Sequence, residues 1–290
     1  MSRYLQKHDS ASIERRIKAG EGQGEGPTFK PWLTVRSLPS RGRSAREKGW
    51  TTGRVHHFHS EGEYQYFLNL EWSLRVIDIR EQFPLLPRER TVNIAESREI
   101  AHPIVPGTAE PVVMTSDFRI TLRIDGELLD IVRTFKREAD LQSDTVITKL
   151  EIERRFWEEQ GISWGIVTEH EIDMTLAHNV DLIYDRRCFA EESPYSGEEL
   201  HAAAVLLTQL VKDEQLSLRR AGLECERRLG FTDPGTGLAI IYYLIANRYW
   251  NIDMFARIDP GKSAQIRSVN LEPTQNRLSL QKQRPLSLLV

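Results

Sequence analysis

With 290 residues the chain exceeds the usual span of one domain, so two domains with separate cores are expected, and its 40% hydrophobic and 28% charged residues exclude a disordered or fibrous protein. Two distant cysteines, Cys188 and Cys225, suggest neither a disulfide framework nor a zinc site, and no apolar run reaches bilayer-spanning length, so an unexported, cytoplasmic protein without a membrane partner is expected. The net charge of −3 excludes a uniformly basic nucleic-acid binder and leaves segregated charge as the route to phosphate contact.

Residues 1–55, rich in Gly, Ser, Pro and Arg, predict a short amphipathic helix over 11–19 and then extended surface chain, with Gly20, Gly22, Gly24 and Gly26 as a flexible linker. Arg41, Arg43, Arg46, Lys48 and Arg54 stand against the single acid Glu47, with Trp50 interleaved. They form a candidate DNA-phosphate-contacting arm, for which the alternative is a solvated loop. Ser60 followed by Glu63 is a capping box, and Tyr64, Phe67, Leu68 and Leu70 continue at helical spacing to about Trp72. The alternation over 74–79 predicts a short strand, broken by Pro84 and Pro87, and a long polar connection follows.

Two runs, 117–124 and 128–136, flank Asp125-Gly126-Glu127, the signal of a tight hairpin. With Asp125-Gly126 as the two-residue turn, partner numbers sum to 251, so Asp117 lies opposite Thr134. Thr134 and Lys136 share a face by the period of two. The register therefore brings the Asp117 carboxylate and the Lys136 ammonium together at one end of the hairpin. A helix over 144–160, stopped by Gly161, and a buried strand over 162–168 complete an α/β domain of residues 56–184: a mixed sheet flanked by helices. Residues 185–270 predict helices over 198–212, 216–229 and 236–251, then a hairpin of 253–258 and 264–270 around Asp259-Pro260-Gly261, together a mainly α, winged-helix-like domain. A polar tail, 271–290, ends the chain.

Phosphodiester hydrolysis requires a nucleophilic water, charge stabilisation at phosphoryl oxygen and help for the leaving oxygen, which one or two carboxylate-held divalent ions supply. Glu63 and Asp117 are the candidate ligands of Mg²⁺, for which Mn²⁺ substitutes; the Phe135 carbonyl completes the set, and Lys136 orients water or neutralises phosphate. Each residue taken alone has a structural reading: a cap for Glu63, a ladder end for Asp117 and a solvated strand end for Lys136. Their convergence across a hairpin is more specific than any member. His56, His57 and His59 do not build a zinc site, since neighbours on extended chain face opposite ways and no acid or cysteine completes a tetrahedral set.

Several runs carry a resemblance. Pro31-Trp32-Leu33-Thr34-Val35, Thr52-Gly53-Arg54-Val55-His56-His57, Leu70-Glu71-Trp72, the long Asp78-Ile79-Arg80-Glu81-Gln82-Phe83-Pro84-Leu85-Leu86-Pro87 string and Lys149-Leu150-Glu151-Ile152-Glu153-Arg154-Arg155-Phe156-Trp157 are similar to the TnsA endonuclease family, densely over residues 11–170. The resemblance implies a restriction-endonuclease-like core that cuts the 5′ strands at transposon ends, beside a TnsB-type transposase that processes the 3′ ends and an ATP-using TnsC-type regulator. Glu63, Asp117 and Lys136 fall on the family's catalytic positions. Thr134 departs from the glutamine or acid usual two residues before the lysine, which leaves Glu153, otherwise read as a solvated helix residue, to compensate at a second metal position. Two other readings of the same residues are a stand-alone repair or restriction nuclease and a non-catalytic adaptor between DNA and an ATPase.

Overall fold

Near the N-terminus, Asp9 accepts the Ser12 N–H and so caps α1 (Ser10–Lys18), whose Ile13 packs with Trp32 and Val113. This is a computed structural model that describes residues 9–35 and 45–271. The glycine run is not a linker. Gly22, at φ +74°, donates to the Lys30 carbonyl at 2.7 Å, and a Cβ there would overlap the Pro84 ring. Trp32 donates its N–H to the Gln82 carbonyl at 3.1 Å. Gly, Pro and polar residues marked surface chain by composition, but glycine here permits close backbone approach.

Strands β1 (Ala45–Lys48) and β2 (Val55–Phe58) pair antiparallel, with Arg46 opposite His57. Ser60 then caps α2 (Glu61–Trp72) by accepting the Glu63 N–H at 3.2 Å. The predicted first sheet strand runs further than expected, as β3 (Val76–Pro84). It forms one edge of the sheet, and Pro84 ends it, where a missing N–H breaks no ladder. The expected polar connection contains a helix, α3 (Arg88–Ser97), which buries only Thr91, Ile94 and Ala95, too few to produce an apolar stripe in the sequence.

The hairpin forms as predicted. β4 (Thr115–Ile124) pairs with β5 (Glu127–Phe135) from Ile124 opposite Glu127 to Phe118 opposite Arg133. Asp125 and Gly126 both take positive φ, +50° and +92°, as a two-residue turn with the native strand twist requires. After α4 (Asp144–Glu158), β6 (Ser163–Val167) returns parallel to β5, giving a mixed sheet in the order β3-β4-β5-β6. β6 is an edge strand, mostly half-exposed rather than buried. One sheet face packs Val132 on Ile152, Phe156 and Trp157 of α4, while Phe118 meets Phe58 of β2 and Tyr66 of α2.

A second compact unit begins at Asp173, twelve residues before the start expected at residue 185. The sequence reading missed α5 (Met174–Ile183), whose Asn179 amide donates to the Met254 and Ala256 carbonyls at 2.9 and 2.8 Å. The short α6 (Phe189–Glu192) precedes α7 (Gly197–Lys212), α8 (Leu218–Leu229) and α9 (Thr236–Ala246). Gly222 and Gly237 let α8 and α9 cross so closely that a Cβ on Gly237 would overlap the Gly222 carbonyl. The strand expected at 253–258 is absent, and of the one expected at 264–270 only Ser268 and Val269 are extended as a strand. Among the described residues of this unit only β7 (Trp250–Asn251) and β8 (Ser268–Val269) pair, and the Asn179 amide holds the 254–258 backbone instead. The tail from residue 272 lies outside the described residues.

Candidate active site

Asp117 stands one residue before the last paired position of the hairpin. Its Oδ2 accepts the Phe135 N–H at 2.9 Å and the Lys136 ammonium at 3.1 Å, so the convergence expected from the register is present. The Lys136 ammonium also donates to the Phe135 carbonyl at 2.6 Å. Its own backbone is held by β6, through Lys136 N–H to Val167 carbonyl at 3.0 Å. Burial alone would lower the lysine pKa, but Asp117, Glu153 and Glu63 outweigh it and hold the ammonium above its ordinary range. Gln82, which the sequence reading did not select, reaches Asp117 Oδ1 at 3.5 Å from a left-handed backbone conformation (φ +48°) that no local pattern announces.

Glu63 comes from the first turn of α2. Its carboxylate accepts the Ser60 hydroxyl at 2.9 Å and reaches back to the His59 N–H at 3.0 Å, one residue earlier than a capping box would place it. The cap and the candidate ligand are thus the same side chain. Glu63 is 7% exposed, and burial, reinforced by the neighbouring Asp117 charge, raises its pKa to about 7. Gly62 makes this approach possible: a Cβ there would overlap the Phe135 ring. The helix start therefore rests directly on the strand end that carries Phe135 and Lys136.

Glu153 is not a solvated helix residue. It is 4% exposed on α4 and accepts the Thr134 hydroxyl, and burial together with Asp117 raises its pKa. The residue that departs from the family pattern thus contacts an acid on the following helix. The helical periodicity could have found this, since Glu153 adjoins the apolar Ile152 and lies one turn from Phe156 and Trp157. Among the described residues, no three His, Cys, Asp or Glu side chains stand already gathered in metal-binding geometry. His59 is close enough for Asp117 to act on it, and its Nε2 is buried without a hydrogen-bond partner.

The basic arm divides. Arg46 and Lys48 share the exposed face of β1, whereas Arg41 and Arg43 lie outside the described residues. Arg54 departs from the expected DNA contact. Its guanidinium is buried against Glu81 and donates to the Ile79 carbonyl at 2.7 Å, because a carboxylate inside the core requires a counter-charge. His56 bonds Thr52 at 2.7 Å and Glu81 at 2.8 Å. His56, Arg54 and their hydrogen bonds overcome the burial of Glu81 and bring its pKa down to about 2.

The sequence pattern described as "TnsA-like endonuclease N terminal" matches residues 73–169, and that described as "TnsA endonuclease C terminal" matches residues 171–254. The chain is also 42% identical over 276 residues to "Transposon Tn7 transposition protein TnsA" of Escherichia coli, a match covering 94% of this chain and 97% of that protein.

Proposed function

The chain belongs to the TnsA endonuclease family, and from that premise we propose that it is a divalent-metal-dependent endonuclease that cuts the 5′ strands at transposon ends during cut-and-paste transposition. The observation that carries the chemistry is the meeting of Asp117, Lys136 and the Phe135 backbone at the hairpin end, with the helix start that carries Glu63 packed through Gly62 on the Phe135 ring.

The donors fit a hard cation. Glu63 and Asp117 are carboxylates close enough for one to raise the other's pKa, and the Phe135 carbonyl adds a third oxygen. Mg²⁺, or Mn²⁺ in its place, as one ion or two, would be held there and would supply Lewis acidity to the phosphodiester. The protein's own groups do the rest. The Phe135 N–H fixes the Asp117 carboxylate, and the Ser60 hydroxyl and His59 N–H fix Glu63. Lys136, the nearest ammonium, neutralises charge developing on the phosphate or orients the attacking water. Thr134 holds Glu153 beside this group, where it is available to a second ion. Arg46 and Lys48 offer phosphate contacts from β1, as do Arg41 and Arg43 outside the described residues.

A TnsB-type transposase acting on the 3′ strands and a TnsC-type ATPase regulator are the proposed partners. No helix among the described residues is long and apolar enough to cross a membrane. The test is strand-specific cleavage of a plasmid bearing the cognate ends, with these partners and Mg²⁺. Asp117→Ala is expected to abolish the 5′ nicks, a loss of at least about 100-fold, while the 3′ cuts persist. Identical products from wild type and variant would make the protein an adaptor and remove the active-site reading.

A further inference from the structure

Two of the oxygens assigned above to a divalent ion are engaged by a single group. Asp117 Oδ2 and the Phe135 carbonyl both accept from the Lys136 ammonium, at 3.1 and 2.6 Å. The ammonium is a compact point charge with three donors, and two of them point at lone pairs that a cation would need. It also lies among three acids, Asp117, Glu153 and Glu63, each of which acts on it electrostatically. A buried acidic cluster without a counter-ion would be costly, and Lys136 supplies that counter-ion from within the chain. The stem is anchored: the Lys136 N–H bonds the Val167 carbonyl at 3.0 Å, so the four-carbon side chain can swing while the backbone stays in the sheet.

We propose that Lys136 is the internal cation of the metal-free site, bridging Asp117 and the Phe135 carbonyl, and that divalent-ion binding displaces it to its working position. Resting on the metal-dependent reading above, this gives the lysine two places, one that closes the site and one that serves the phosphate. Metal entry and the arming of Lys136 become a single event. In the exchange the acids give up the single charge of the ammonium and gain the two of the divalent ion, with any proton on Glu63 released to solvent, while the lysine keeps its own proton throughout.

The experiment uses the full chain labelled with ¹⁵N-lysine, with the Lys136 ammonium signal assigned by its loss in Lys136→Met. In metal-free protein the bridged ammonium is expected to give a solvent-protected cross-peak, which disappears as Mg²⁺ saturates the site. In parallel, calorimetric Mn²⁺ titration of Lys136→Met is expected to show binding at least about tenfold tighter than wild type, as follows when a like charge leaves a half-buried site. Circular dichroism checks that the variant folds, and Lys136→Arg, which keeps the positive charge and gives no lysine signal, assigns the cross-peak independently. An ammonium signal unchanged at Mg²⁺ saturation, with Asp117→Asn having lost Mn²⁺ binding, overturns the displacement and leaves the metal site intact. Equal Mn²⁺ binding by wild type and Asp117→Asn overturns the metal site itself.

Discussion

Glu63 serves two purposes with one carboxylate. As a cap it ties the start of α2 to Ser60 and His59; as a buried acid beside Asp117 it holds its proton to about pH 7. Since the folded pKa lies above the unfolded value of 4.5, the neutral group stabilises the fold fully below pH 4.5, and that contribution is lost as pH rises through 7. Glu63→Gln cannot titrate. In chelator, its stability relative to wild type is expected to rise between pH 5 and pH 8, by at most about 3 kcal/mol for a shift of this size. Urea unfolding at the two pH values measures it, and a difference independent of pH contradicts the assignment. Arg54 behaves in the opposite sense, as half of a buried pair. Arg54→Ala leaves the buried Glu81 with only the hydrogen bonds of His56 and the His57 N–H and is expected to cost about 3–5 kcal/mol in chemical denaturation, with no change in the salt dependence of DNA binding. A weakened DNA affinity at unchanged stability would return Arg54 to the phosphate-contacting arm.

The contact between α2 and the end of β5 decides whether these groups meet. Both elements were legible: the capping residues and apolar spacing gave α2, and Asp125-Gly126 with its flanking alternation gave the hairpin and its register. Their mutual approach was not, because it depends on Gly62 having no side chain where the Phe135 ring lies. Gly62→Ala is expected to destabilise the protein by about 1–3 kcal/mol, the usual range for overpacking. It should also lower 5′-strand cleavage about 100-fold, as a displacement of roughly 1 Å does in a preorganised site. Retained cleavage with unchanged stability would mean that the helix start is free to move. Helix α3 and the edge position of β6 escaped the sequence reading for a related reason. A helix that buries three residues shows no stripe, and a short strand with apolar residues does not reveal in its sequence how many neighbours it will have.

At the scale of the molecule, the two units carry separate cores, one built on the mixed sheet and one on α7, α8 and α9 around the Gly222–Gly237 crossing. A fragment of residues 173–276 is therefore expected to fold alone, giving a cooperative thermal transition with helical circular dichroism. A fragment starting at residue 185, the boundary expected from sequence, lacks α5 and the Asn179 amide that holds the 254–258 backbone, and is expected to melt lower or not cooperatively. Equal melting of the two fragments would show that α5 is dispensable. The sequence by itself determined the α/β class, the hairpin register and the convergence of Asp117 with Lys136, because turn chemistry and strand alternation are local and leave one register open. The tertiary structure decided the rest: the burial of Glu63 and Glu153, the inward turn of Arg54, the packed glycine run and the start of the second unit. Each of these depends on what lies across a contact from a residue distant in the chain, and no local pattern encodes that neighbour.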